Sequence, residues 1–161
     1  MVIVYAVKGF DGANLPLDNP LQVPAHRYSG RVLASGKEAV RTTPKFERGR
    51  LLGDVVFVSG TAAIKGEDSE FSEDTRVQAL GAIDVVEHLV APSNISPDCS
   101  AFRFGYLRVY VRRPQDLEPV REMFISHFKD TPIHFLQADI CRHELLLELE
   151  GVGRALPFLK P

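Results

Sequence analysis

Tryptophan is absent from the 161 residues, and cysteine occurs only at Cys99 and Cys141. Neither thiol belongs to a CxxC pair or has a histidine at metal-ligand spacing, so a disulfide framework and a structural zinc site are both excluded and the thiols read as reduced. No apolar run approaches the roughly 18–20 residues that span a bilayer. The start MVIVYAVKGFDG lacks the basic region and small-residue cleavage site of a secretory leader. An excess of positive charge is missing too: 19 basic residues face 21 acidic ones, for a net charge of -2. The basic residues are scattered, which argues against nucleic-acid and membrane partners and leaves a cytoplasmic chain. What is present is a 45% hydrophobic composition, enough for one domain with a proper core and without internal repeats.

Along the chain, an apolar run of β character at 2–7 is followed over 11–36 by proline and glycine punctuation without periodicity. Residues 1–36 therefore read as an N-terminal strand and an extended arm, expected to pack on another surface because a loop this long is unusual inside a compact domain. Residues 37–161 read as the α+β domain proper. Strands are expected at 38–42 and 45–52, with Gly53-Asp54 turning into a third at 55–59. Ser72, Glu73 and Asp74 mark a helix start, and Val77, Leu80, Ile83, Val86 or Glu87 and Val90 supply its expected core face up to Pro92. A strand at 102–112 alternates Leu107, Val109 and Val111 with Tyr106, Arg108 and Tyr110. Pro114 and Asp116 open a second helix carrying Leu117, Val120, Phe124 and Phe128. Strands at 133–140 and 144–152 close the order, the last with Leu145, Leu147 and Leu149 toward the helices and Leu146, Glu148 and Glu150 on the other face. Two helices cover one face of such a mixed sheet. Tyr106, Tyr110 and Leu146 on the other face call for a second subunit.

The residues that carry chemistry gather on that second face. Glu148 and Glu150 project from one strand side about 7 Å apart. If partly buried, mutual repulsion and desolvation raise one of their pKa values and create a general acid beside a carboxylate. The competing reading is a solvated strand face, the commoner one on pattern alone. Arg108 and Tyr110, with Arg112 at the strand end, suit a carboxylate ligand, or else a cross-strand salt bridge to Glu148 or Glu150. Cys141 lies in a polar setting beside Arg142 and His143 but fits a small buried residue better than a nucleophile. Ser59, Gly60 and Thr61 offer hydroxyls and a pliable backbone, or a plain turn. His127 reads as a surface residue, and His134 has no evident partner.

The strings VVFVSGT at 55–61, LRVYV at 107–111 and LELE at 147–150, with Gln78 on the intervening helix, resemble the Rid (YjgF-like, endoribonuclease L-PSP) superfamily over about residues 38–152. That resemblance implies a chorismate-mutase-like fold, a homotrimer with clefts between subunits, and enamine or imine deamination. Here, though, PIH at 132–134 replaces the Pro-x-Arg whose arginine holds the substrate carboxylate, which puts His134 in its place, and SGT at 59–61 replaces Ser-Gly-Gln. A narrower likeness is to the catalytic half of chorismatases, carried by NPLQVPAHRY at 19–28, SGTAAI at 59–64, RVYVRRP at 108–114 and ADICRHELLLELEG at 138–151. It implies pyruvate release from chorismate, with Glu148 as catalytic glutamate and Cys141 lining the pocket, in chains that resemble two Rid-like halves where this one has a single half. The chemistry needs a protonated carboxyl and cationic clamps for a small carboxylate substrate, for which Arg108, Arg112 and Arg121 are candidates, and it requires no metal or organic cofactor. A Rid-type deaminase and a non-catalytic trimeric metabolite-binding protein remain the alternatives.

Overall fold

The computed structural model describes residues 7–30, 44–69 and 73–158. The strand expected at 38–42 and all but the last residue of that at 2–7 lie outside them.

Short apolar, β-branched segments make the strands. In chain order these are β1 (Asn14–Leu17), β2 (Gly49–Leu52), β3 (Val55–Thr61), the two-residue pair β4 (Ile64–Lys65) and β5 (Asp68–Ser69), β6 (Cys99–Val111), β7 (Ile133–Gln137) and β8 (Leu147–Pro157). The turn from β2 to β3 puts Gly53 at φ 66°, a conformation that costs glycine little and other residues more. Six strands form one sheet in the order β1-β2-β3-β8-β6-β7, while β4 and β5 pair with each other. The β6–β7 pair is parallel, as the intervening helix requires, and the other pairs are antiparallel. The mixed sheet with its helices on one side is the α+β fold expected from the sequence.

Helix α1 (Thr75–Leu89) begins where Asp74 accepts a hydrogen bond from the Arg76 amide at 2.8 Å, an N-cap that satisfies one orphan donor. A single helical turn, α2 (Pro92–Ile95), starts on its proline, and α3 (Leu117–His127) follows a 3-10 turn at Pro114–Asp116. Val120 and Phe124 on α3 pack with Leu107, Val109, Val111, Leu147 and Leu149 of the sheet in the main core. Phe128 meets Phe104 and Phe124 at 5.6 and 5.9 Å between ring centroids.

Three details correct the sequence reading. The buried stripe of α1 is Thr75, Gln78, Ala79, Gly81, Ala82, Ile83, Val85, Val86 and Leu89, whereas Val77 and Leu80 are 47% and 60% exposed. Small alanines let the helix lie close on the sheet, so the contact stripe is rotated away from the one that the larger side chains mark. Second, the strand expected at 133–140 stops at Gln137, and residues 138–146 form a loop. Leu145 is fully buried, but in a small second cluster with Ala62, Ile64 and Ile140 against Tyr110 rather than against the helices. Third, part of the arm belongs to the sheet: β1 pairs with β2, its Pro16 tolerated on an edge. Leu17 enters the main core, and Asn19 donates to the Val85 carbonyl at 2.8 Å. The described part of the arm thus packs on its own domain.

Phe124 is completely buried. Phe124→Ala should therefore cost about 3–5 kcal/mol in urea unfolding, while Leu80→Ala on the exposed side of α1 should stay within about 0.5 kcal/mol.

Candidate active site

Antiparallel pairing of β6 with β8 sets Tyr110 opposite Glu148 and Arg108 opposite Glu150. Parallel pairing of β6 with β7 sets His134 beside Arg108. Because directly paired residues share a face, Glu150, Arg108 and His134 form one cross-strand row on the side away from the helices. Beside it, between Val58 and Thr61, β3 shifts register against β8, so that Ser59 and Gly60 bulge next to the two glutamates. A shallow depression of about 100 Å³ lies here, lined by residues that include Phe57, Ser59, Tyr106, Arg108 and Glu150.

The two glutamates have different surroundings. Glu150 is held twice, by the Arg108 guanidinium at 3.0 Å and by the Tyr110 hydroxyl, which donates to it at 2.5 Å. Tyr110 thus reaches past its register partner to the next carboxylate along β8. Burial, the hydrogen bond to Glu150 and the charge of Glu150 push the Tyr110 phenol up to about 12. Burial opposes the charge of Arg108, but Glu150 together with Tyr106 and Tyr110 more than offsets it and raises the guanidinium. Glu148 receives no comparable partner. Half-buried, with no hydrogen bond to its carboxyl among the described residues, it is pushed upward by desolvation first and by the Glu150 charge second.

Gly60 fixes where that carboxyl sits. A Cβ at position 60 would lie 2.1 Å from Glu148 Oε1, so any side chain there displaces the glutamate. Thr61 is 1% exposed, and its hydroxyl donates to the Ser59 carbonyl at 2.9 Å, tying off the bulge. On the other flank, desolvation and the Glu148 charge push the Cys141 thiol upward, which makes it a neutral neighbour rather than a thiolate. The loop carrying Cys141 is mounted from outside. Gln78, 1% exposed, donates to the Glu144 carbonyl at 2.7 Å and accepts from the Leu146 amide at 2.8 Å.

Of the residues expected at the site, Ser59, Gly60, Arg108, Tyr110, His134, Cys141 and Glu148 thus gather on one face or at its edge, whereas Thr61 pairs with Leu149 of the main core and is buried on the other side. Arg112 and Arg121 do not join them. Arg112 donates to the carbonyls of Ile140 and Arg142 at 2.6 and 2.9 Å and to that of His143, so it supports the loop instead of clamping a ligand. Arg121 lies on α3, on the helix side of the sheet, exposed and paired with Glu118 at 3.1 Å. His127 is an exposed partner of Glu87. Buried residues that sequence reasoning passed over are Arg48 and Tyr28; the only signal for either was Tyr28 at the end of the NPLQVPAHRY string. Among the described residues no cluster of three or more metal-ligating side chains occurs, and no helix is long and apolar enough to cross a membrane.

No family model matches the chain. It is similar to the 3-hydroxybenzoate synthase of Streptomyces hygroscopicus, 32% identical over 165 residues that cover 94% of this chain and 46% of that protein. A crystal structure of a chorismatase superposes with a TM-score of 0.75 at 28% identity, over 88% of this chain and 44% of the other. A Rid-family protein from Yersinia pestis superposes with a TM-score of 0.61 at 12% identity, over 89% of this chain and all of that one. The fold is therefore that of the Rid, or YjgF, proteins. Within that fold, the chain stands close to the chorismatases, and it spans about half the length of the curated relatives it matches.

The unpartnered carboxyl has a consequence for stability. Glu148 has a folded pKa above its ordinary value of 4.5, so the native state prefers the proton that the unfolded chain gives up. Its favourable contribution is present below pH 4.5 and lost as pH rises through the folded value. Glu148→Gln should therefore melt at a higher temperature than wild type at pH 7–8, and the difference should fade as the pH is lowered toward 4 in thermal denaturation.

Proposed function

We propose that the protein is a chorismatase-like enzyme that releases pyruvate from chorismate or a related enolpyruvyl ether, with Glu148 as proton donor. The observation that carries this reading is the contrast between the two glutamates: one carboxylate locked by Arg108 and Tyr110, the other open, unpartnered and pushed toward protonation. The likeness to a chorismatase and a 3-hydroxybenzoate synthase supports it.

In this mechanism the Glu148 proton adds to the terminal methylene of the enolpyruvyl group and leaves an oxocarbenium ion at the ether carbon. The fixed charge of Glu150 and the new Glu148 carboxylate stabilise that cation. Water adds to the cationic carbon, its proton returns to Glu148, and the hemiketal collapses to the alcohol and pyruvate. Proton and electron pairs balance without a redox step, and water is the one co-reactant. Ser59 and Arg108 line the depression, Gly60 abuts Glu148, Cys141 feels the Glu148 charge, and His134 pairs beside Arg108. This chain spans about half of a chorismatase. A single half can complete its cleft by assembling, and a homotrimer is the form we infer. The open face with Phe57, Tyr106, Val152 and the 38% exposed Leu136 favours such cover. Light scattering should give three times the monomer mass at micromolar concentration, and a stable monomer contradicts the assembly.

The test is pyruvate release from chorismate, followed by coupling to lactate dehydrogenase and corrected for spontaneous decay. Wild type should exceed the blank, and Glu148→Gln should lower kcat by about 10² to 10⁴, the usual worth of general acid catalysis, with a smaller effect on binding. Glu150→Gln should do less. Release no faster than the blank rejects the reading and leaves a metabolite-binding protein.

A further inference from the structure

The carbonyls of the 138–146 loop converge on one side chain. Arg112, which follows β6, donates from one terminal nitrogen to the carbonyls of Ile140 and Arg142 at 2.6 and 2.9 Å and from the other to that of His143. Its backbone amide donates to the Leu146 carbonyl at 2.9 Å, and the carbonyl of its neighbour Val111 accepts from the Ala138 amide at 3.2 Å. The loop is thus gripped at its start, its middle and its end from one point of the chain. None of these partners is a carboxylate, so the guanidinium serves the loop backbone alone. Carbonyls deprived of such donors are costly to leave unpaired. A planar guanidinium reaches diverging acceptors from two terminal nitrogens at once, which the single nitrogen of a lysine does not reproduce.

The loop so held meets both glutamates. Ile140 and Leu145 pack with Ala62 and Ile64 against Tyr110, whose hydroxyl donates to Glu150 at 2.5 Å. Cys141, between the Arg112-bound carbonyls of Ile140 and Arg142, lies near enough for the Glu148 charge to act on its thiol. The other charged and titratable groups around Glu148 are Glu150 on its own strand and Tyr110 and Arg108 on β6, with His134 of β7 beyond Arg108. Arg142 and His143 follow Cys141 on the loop, and β3 brings Ser59 and Gly60 without a charge. The Arg112 guanidinium bonds to neither glutamate and reaches them through the loop.

We propose that Arg112 is a positioning residue: by buckling the 138–146 loop it holds Cys141 beside Glu148 and Tyr110 on Glu150, and keeps water from the Glu148 carboxyl. Loosening the loop admits water to Glu148 and removes a donor from Glu150, so that Glu150 takes up a proton more readily and repels Glu148 less. Both changes lower the proton affinity of Glu148. The bearing of this buckle on turnover rests on the function proposed above; its hold on Glu148 does not.

The test is the titration of Glu148 in the full chain by NMR of ¹³C-labelled glutamate carboxyls, in wild type, Arg112→Lys and Arg112→Ala. Arg112→Lys keeps the charge and loses the fork, and its Glu148 midpoint should fall toward 4.5. Arg112→Ala should fall at least as far, although loss of a cation by itself pushes a nearby carboxyl upward, so a downward shift reports the loop. Millimolar guanidinium chloride should return the Arg112→Ala midpoint toward the wild-type value, and sodium chloride at the same concentration should not. In pyruvate release, Arg112→Lys should lower kcat by about 10- to 100-fold, the worth of a charged hydrogen bond. A wild-type midpoint in Arg112→Lys, or a folded Arg112→Ala whose midpoint ignores guanidinium, overturns the assignment. Arg112→Lys carries the test alone if Arg112→Ala fails to fold. Titration needs no turnover, so a failure of pyruvate release in wild type rejects the function alone. Pyruvate release with wild-type kcat in Arg112→Lys rejects the positioning role alone.

Discussion

The long antiparallel pairing of β6 with β8 is the constraint on which the rest depends. Because strand side chains alternate, this one register sends Leu107, Val109, Val111, Leu147 and Leu149 into the main core and Tyr106, Arg108, Tyr110, Glu148 and Glu150 to the other face. A slip by one residue would bury both glutamates against Phe124 and expose the leucines. The hydrophobic core therefore holds that face in register, and the aromatic packing of α3 supports it from the far side of the sheet.

On the open face the decisive feature is asymmetry between identical residue types. Tyr110 sits opposite Glu148 yet bonds to Glu150, which concentrates two donors on one carboxylate and none on the other. A bulge in β3 places a glycine against the free carboxyl, where even a methyl group would collide. Around it, Gln78 and Arg112 hold the 138–146 loop by its backbone, and Cys141 on that loop feels the Glu148 charge as a neutral thiol.

The two-faced strands were legible in the sequence because period-two alternation is a direct record of burial, and so were the pairing of helices with one face and the grouping of Glu148 with Arg108 and Tyr110. The cross-strand salt bridge was one of two readings of Arg108, and register decides for it: a pattern along one strand does not tell which residue of the next stands opposite. The rotated face of α1 was hidden because alanine carries little hydrophobic signal yet permits the closest approach. Leu145 was misplaced for a related reason, since the alternation was extended into a loop whose backbone is held by side chains distant in sequence. Arg48 was invisible as a buried cation because its burial comes from the arm, which has no periodicity to read.

Glu148 holds its proton above the ordinary carboxyl value because it is desolvated beside a fixed negative charge. Selective ¹³C labelling of glutamate carboxyls, with Glu148 assigned by its loss in Glu148→Gln, allows this group to be titrated directly by NMR. The midpoint should lie above 4.5 and move down in Glu150→Gln. A midpoint at or below 4.5, or one indifferent to Glu150→Gln, would contradict it.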